Sequence, residues 1–374
     1  MRAAVAEADL IAAINKTGFP LEHRVTQFLR KRKWQTISGR FYVDEKDGRP
    51  HELDLIAYKN AKHEEGDVYT AFLISCKKDI ENTWTLMSRN AAKNDLNTKW
   101  SISHQWTDIE PLNQLLSGQS WVTEYTNKDS EIRKFALQST RDVFAFQLVA
   151  PPKSVGSSSA PKNDRDMFWA VSGLLTALDF EVQAVATRHP NKNRVYCFHL
   201  AVIVDAPIVD LRFDGKKPKA VECKHLLHLA RYMIRGKNFN ALVHFVRADQ
   251  LDWFAKKMDK VFNHNKEMFG KFAADAYASF PAMASIRRYF AKAMFPKIRM
   301  RLQKRMNDLR IAERITELKL ELREKVLHVE LDVTIASATK LDADEDARSR
   351  VAEVLQKMAR YTGSFRISEI GPVA

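Results

Sequence analysis

Cysteine is scarce in this chain of 374 residues: Cys76, Cys197 and Cys223 are the only three. They are too few and too far apart for a disulfide framework or a zinc site, and a reducing compartment is expected. Each stands in an apolar, strand-like run, where a thiol behaves as a small buried hydrophobe. No run of about 18 apolar residues occurs, so no helical membrane span is predicted. The opening MRAAVAEADLIAAINKTGF carries Glu7 and Asp9 inside its apolar part, unlike a secretory signal, and the cytoplasm is the expected location. Glycine-rich phosphate loops are missing, because FDGKKPK lacks the spaced glycines and the helix start such loops need. A Gly-x-Ser-x-Gly elbow is missing too. HPNKNR and NHNKEM read as loops whose histidines lack metal-ligand spacing, and His225, His228 and His244 follow no ligand pattern and read as structural.

Against these absences stands a large positive charge. Lys and Arg number 60 and Asp and Glu 46, a net charge of +14 at pH 7. Such an excess argues for an anionic partner, nucleic acid ahead of a membrane surface. Apolar residues make up 45% and aromatics 10%, enough for a sizeable core in one large domain or two ordinary ones.

Periodicity predicts a helix over 3–15 and another over 20–33, with Pro20 near its start and Val25, Phe28 and Leu29 on one face. Strands WQTISGRFYV and HELDLIAYK follow, separated by the turn DEKDGRP, and a third strand spans 69–77. Residues 79–142 are polar, carry Trp84, Trp100, Trp106 and Trp121, and read as partly helical. VFAFQLVA (143–150) is a strand, and PPKSVGSSSAPKND (151–164) is a mobile loop serving as a domain boundary or an insertion. A helix at 165–178 leads to strands at 180–187 and 195–204. A hairpin of IVDLRF and KAVECKH is turned by DGKKP, then come a strand at 241–246 and a helix at 248–263. Further on, 281–310 holds nine Lys or Arg against Asp308 alone, with Leu302, Met306 and Leu309 along one side. That is a basic amphipathic helix. LKLEL and LHVELDVTI alternate as a hairpin, and a helix at 342–360 and a strand FRISEI close the chain.

The chemistry concentrates in YTAFLISCKKD, residues 69–79. Phe72, Ile74 and Cys76 fill one face of this strand, and Ser75 and Lys77 share the other. Glu52 and Asp54 are also two apart, so neighbouring pairing of the two strands would gather all four. Glu22 lies on or beside the apolar face of the second helix. Carboxylates in such a group hold Mg2+ or Mn2+, and a nearby lysine stabilises an attacking hydroxide or the charge on a phosphate.

These residues carry a resemblance. TGFPLEHRVTQFLRKRKWQTISGRFYVDEKDGRPHELDLIAYKN and FLISCKKDIENTW resemble the opening of the PD-(D/E)XK nuclease superfamily, and within it the bacterial restriction-endonuclease-like proteins. Those open with a glutamate-bearing helix, continue to an Arg-Glu-x-Asp strand and reach a Glu-Cys-Lys strand trailed by a tryptophan. Glu22, Glu52, Asp54, Lys77 and Trp84 fall on these positions. FHLAVIVDAPIVDLRF (198–213) is similar to a later strand pair of the same proteins. The likeness covers 17–90 well and 195–250 loosely. Two residues depart from the pattern: Ser75 stands for the motif glutamate, and His51 for the arginine. A serine is a neutral and weaker ligand.

The resemblance implies an α/β fold with a restriction-endonuclease-like mixed central sheet flanked by helices over 1–265, and a basic α+β extension occupies 266–374. It also implies metal-dependent cleavage of nucleic acid, DNA foremost, in prokaryotic defence or repair. Asp54 and Glu52 would hold the metal, Glu22 would complete its shell, Lys77 would assist the nucleophile and Ser75 would be an auxiliary ligand. The alternative is a non-catalytic nucleic-acid-binding subunit with a degenerate site, and either would accommodate a partner subunit.

A second Glu-x-Lys competes for the site: Glu222 and Lys224 in AVECKH, with Asp210 or Asp214 upstream across the hairpin. The basic helix offers Arg287, Arg288, Lys292, Lys297, Arg299, Arg301, Lys304 and Arg305 either as phosphate contacts or as the solvated face of a packing helix.

Overall fold

The computed structural model describes residues 5–371 apart from 44–47, 49, 92–103, 119, 138–140 and 189–191. Most of the expected turn at 44–50, and Trp100, lie outside the described residues. The fold is mixed α/β, in two compact units: 1–108 with 122–269, and 109–121 with 270–374. The expected boundary at 265/266 lies four residues before this division, within a helix, and 109–121 belongs to the second unit rather than the first.

The first unit opens in the expected order, with α1 (Glu7–Ile14), α2 (Phe19–Lys31), β1 (Gln35–Val43), β2 (Pro50–Ala61) and β3 (Asp67–Lys78). Pro20 sits at the start of α2, and Leu21, Val25 and Leu29 form its buried stripe. β3 is buried from Thr70 through Cys76, as befits a strand covered on both faces. β4 (Thr83–Asn90) and β5 (His104–Thr107) follow, then α3 (Glu110–Leu116) of the second unit, α4 (Ser120–Lys128) and α5 (Ser130–Ile132). β6 (Arg141–Ala150), β7 (Ala160–Lys162), α6 (Arg165–Arg188), β8 (Arg194–Asp205), β9 (Ile208–Arg212), β10 (Lys219–Cys223), β11 (His225–Ile234) and β12 (Lys237–Arg247) continue to α7 (Leu251–Ala278).

The central sheet runs β1-β2-β3-β8-β12-β11, with β5 on β8. β1, β2 and β3 pair antiparallel, β3–β8 and β8–β12 pair parallel, and β11 returns antiparallel. α6 packs on β2, β3 and β8. Its Leu174, Leu175 and Leu178 join Leu73, Leu200, Val202 and Phe245 in one core. Phe72, on the opposite face of β3, meets Trp34 and Phe254 edge-on at 5.8 and 5.9 Å. A second sheet, β10-β9-β4-β6-β7, carries the predicted hairpin.

Several expectations need correcting. Residues 180–187 are the end of α6, not a strand. Phe180 and Val182 alternate over a short window, but Leu178, Glu181 and Val185 are buried at helical spacing. HLLHLARYMI is the strand β11, unforeseen because its histidines and arginine mask the alternation. The loop 151–164 is partly ordered, since Ala160–Lys162 pairs with β6, and it lies within the first unit. In the polar stretch 79–142, Trp84 is wholly buried on β4. α6 is also, among the described residues, the one helix long and apolar enough to cross a membrane.

In the second unit, α8 (Ala284–Asp308) packs on β13 (Leu318–Arg323), which pairs with β14 (Val326–Leu331). α9 (Ile335–Ala343) and α10 (Glu345–Ala359) replace the single helix expected at 342–360. Asp344 separates them and caps α10 by accepting the Ala347 N–H at 2.8 Å. β15 (Phe365–Glu369) pairs parallel with β14, which leaves β13 at an edge of the three-stranded sheet.

Candidate active site

The site begins with an interruption in β2. Against β1, Ser38 faces Leu55 and Arg40 faces Leu53; against β3, the register starts at Leu55 with Ile74. Both registers pass over Asp54. Gly39, across from it on β1, has φ +61°, a conformation a side chain would strain. Asp54 satisfies β3 with its side chain instead. Its Oδ2 accepts the Cys76 backbone N–H at 2.6 Å and the Ser75 hydroxyl at 3.1 Å. The other carboxylate oxygen stays clear of those two bonds.

The neighbouring carboxylates lie close over two glycines. A Cβ at Gly39 would lie 3.2 Å from Glu52 Oε1, and one at Gly18 would lie 3.4 Å from Glu22 Oε1 and 3.8 Å from the Cys76 carbonyl. Glu22 thus reaches from the first turn of α2 to the carboxyl end of β3. Burial raises its pKa, the negative charges of Asp54 and Glu52 raise it further, and only Lys77 opposes them. The four groups therefore share one local field. Cys76 is held as an inert thiol, its pKa well above the ordinary value through burial first and then through Asp54 and Glu22.

Two residues here were not foreseen. Asp205, at the end of β8, stands in register with Lys78, and Arg24 of α2 approaches it at 3.9 Å. The parallel pairing of β3 with β8, invisible in either strand alone, brings them to this end of the sheet. Trp84 and His51 are structural: Trp84 is in the core, and His51 stacks on Tyr42 with centroids 5.8 Å apart.

The fit to a divalent cation rests on chemistry: hard carboxylate oxygens with an excess of negative charge suit Mg2+ or Mn2+. Among the described residues, no three His, Cys, Asp or Glu are gathered closely enough to hold a metal as they stand. Side-chain movement of Glu22 or Glu52 toward Asp54 would be needed to close a shell.

The competing motif does not assemble. Val221 pairs with Asp210 and Glu222 with Val209, so Asp210 and Glu222 point to opposite faces of the hairpin. Asp210 is fully buried, bonded to the Ser88 hydroxyl and to Arg212 at 2.6 Å. Asp214 is held by Arg141 at 2.7 Å. Glu222 pairs with Arg247, which also binds Asp249, while Lys224 gives its carbonyl to the Arg247 N–H.

α8 divides its charges. Arg287 donates to the Leu320, Pro281 and Ala282 carbonyls and pairs with Glu321 at 3.0 Å. Arg301 pairs with Glu353 at 2.8 Å, and Arg305 with Asp344 at 2.6 Å. These three hold the second unit together. Arg288, Lys292, Lys297, Arg299 and Lys304 are exposed. Arg288 and Lys292 line a cleft of about 490 Å3 beside β13.

Compared with known proteins, the chain matches no family model, no curated protein and no solved structure.

Proposed function

We propose that the chain is a metal-dependent nuclease of the PD-(D/E)XK type acting on nucleic acid, DNA foremost, in a defence or repair setting. What supports this reading is the contact of Asp54 with Ser75 and Cys76 at the end of β3, coupled to Glu22, Glu52 and Lys77. The antiparallel β1–β2–β3 arrangement continued in parallel by β8 supports a restriction-endonuclease-like sheet. Mg2+ or Mn2+ would be held by Asp54, Glu52 and Glu22 and would supply charge neutralisation at the phosphate. Lys77 contributes a positive charge beside the acids, and the exposed cations of α8 contribute phosphate attraction.

One observation favours a second reading. Ser75 donates its hydroxyl to Asp54, so the motif position lends no negative charge. A non-catalytic nucleic-acid-binding subunit, with or without a partner subunit, fits that. The test is plasmid and single-stranded DNA with Mg2+ or Mn2+, run beside EDTA, Asp54→Ala, Lys77→Ala and Glu222→Ala. The nuclease reading requires metal-dependent cleavage, lost in the first two variants and kept in the third. Salt-sensitive DNA binding with no cleavage in any metal selects the binding subunit.

A further inference from the structure

We infer that the first unit holds a second binding site, for a planar heteroaromatic base bearing a phosphate, in the cavity between the central sheet and α6. The cavity encloses about 270 Å3. One wall is a row of rings contributed by adjacent strands. The β3–β8 register sets Tyr69 opposite Tyr196, and their rings stack at 4.5 Å and 12°. Tyr196 stacks in turn near Phe198 at 6.0 Å and 13°, and Tyr58 adjoins Tyr69 at 6.4 Å. These rings stack on one another and line the cavity with aromatic edges, which a flat base of any kind can meet edge to face.

The charged groups around the cavity are out of balance. Glu181 is 5% exposed and is already taken by Arg40 at 2.6 Å and Arg188 at 3.1 Å. Arg194 lies over the Tyr69 ring at 5.4 Å and reaches the Tyr196 hydroxyl only at 3.5 Å. Its Nε is buried with no hydrogen-bond partner among the described residues. Glu181 is thus already held by two guanidiniums, and Arg194 stands apart from that pair. A buried donor left unmet is costly, and a phosphate oxygen would satisfy it. An inorganic anion would leave the rings uncovered and a neutral ring would leave Arg194 unmet, so the two features together select a nucleotide. Neither feature involves Asp54 or its neighbours, and the inference stands apart from the nuclease reading.

The nucleotide could arrive free or as a base splayed from a strand. Calorimetric titration of the full chain with AMP, CMP, GMP and UMP, with ribose 5-phosphate, and with a single-stranded hexanucleotide separates these sources. At least one mononucleotide should bind with a dissociation constant below about 1 mM, and ribose 5-phosphate should bind about tenfold more weakly or worse. Arg194→Met, which keeps the stem, and Val185→Phe, which fills the cavity, should each weaken binding about tenfold. Hexanucleotide affinity above that of every mononucleotide, lost in the same variants, assigns the ligand to a strand; the reverse order assigns it to the free nucleotide. Absence of nucleotide binding, or binding indifferent to both variants, overturns the site. Should a variant fail to fold, saturation transfer from the unmodified protein to the base protons of AMP decides: strong transfer upholds the base against the aromatic lining, and none overturns it.

Discussion

Ser75 is the residue on which the chemistry turns. Its hydroxyl reinforces Asp54, and the two together close the gap left where the β2–β3 ladder stops. Replacing it with glutamate removes a donor and sets another carboxylate among Glu22, Glu52 and Asp54. Ser75→Glu should therefore melt below the parent in EDTA, because like charges are crowded there. Magnesium should then raise its melting temperature more than the parent's, since a ligand at about 100 times its dissociation constant adds about 2.7 kcal/mol. A melting temperature indifferent to magnesium would count against any cation among these acids. The sequence gathers Asp54 and Ser75 only on the condition that their strands are neighbours, because a spacing of two sets the face of a strand and not its register. The interruption at Asp54 is not legible in it, since it depends on the positive φ of Gly39.

Among the elements, α8 separates cations that hold the fold from cations that face solvent. Arg305 lies against Asp344, whose pKa falls to about 2 through its bonds with Arg305 and with the Ala347 N–H. Arg305→Ala should lower the melting temperature, because Asp344 both caps α10 and anchors α8. Lys297→Ala and Arg299→Ala should leave it unchanged, and each should reduce the log–log salt slope of DNA binding by about 1 if that residue contacts a phosphate. Thermal melts and filter binding at several salt concentrations check both. The basic helix itself is readable from its one-sided leucine and methionine spacing. Which arginines are spent internally is not readable, because their carboxylate partners come from β13, α10 and the joint between α9 and α10. The strand expected at 180–187 fails for a related reason: only the burial of Glu181 and Val185 tells a helix face from a strand face.

At the scale of the whole molecule, five buried histidines titrate in the same direction. Burial lowers His104, His225 and His228 to about 4 and His199 to about 3, and His244 falls well below its ordinary value. The unfolded chain takes up protons near pH 6.5 that the folded chain refuses, so stability is full above that pH and drains away as pH falls toward 4. Each such histidine contributes a slope of up to about 1.4 kcal/mol per pH unit in this window. Melting temperature should accordingly drop steeply between about pH 6.5 and pH 4, and His225→Phe with His244→Phe should flatten the drop. His225, His228 and His244 read as structural from spacing alone; His104 and His199 carry no such signal, and the strand order β5 on β8 and β8-β12-β11 that buries all five does not follow from any local pattern. A last consequence concerns self-association. β13 lies at an open edge of its sheet, and the Arg287 guanidinium occupies the Leu320 carbonyl there. A second copy seeking to extend the sheet meets an acceptor at Leu320 that is already taken, so one arginine helps keep a crowded solution of this chain from zipping edge to edge.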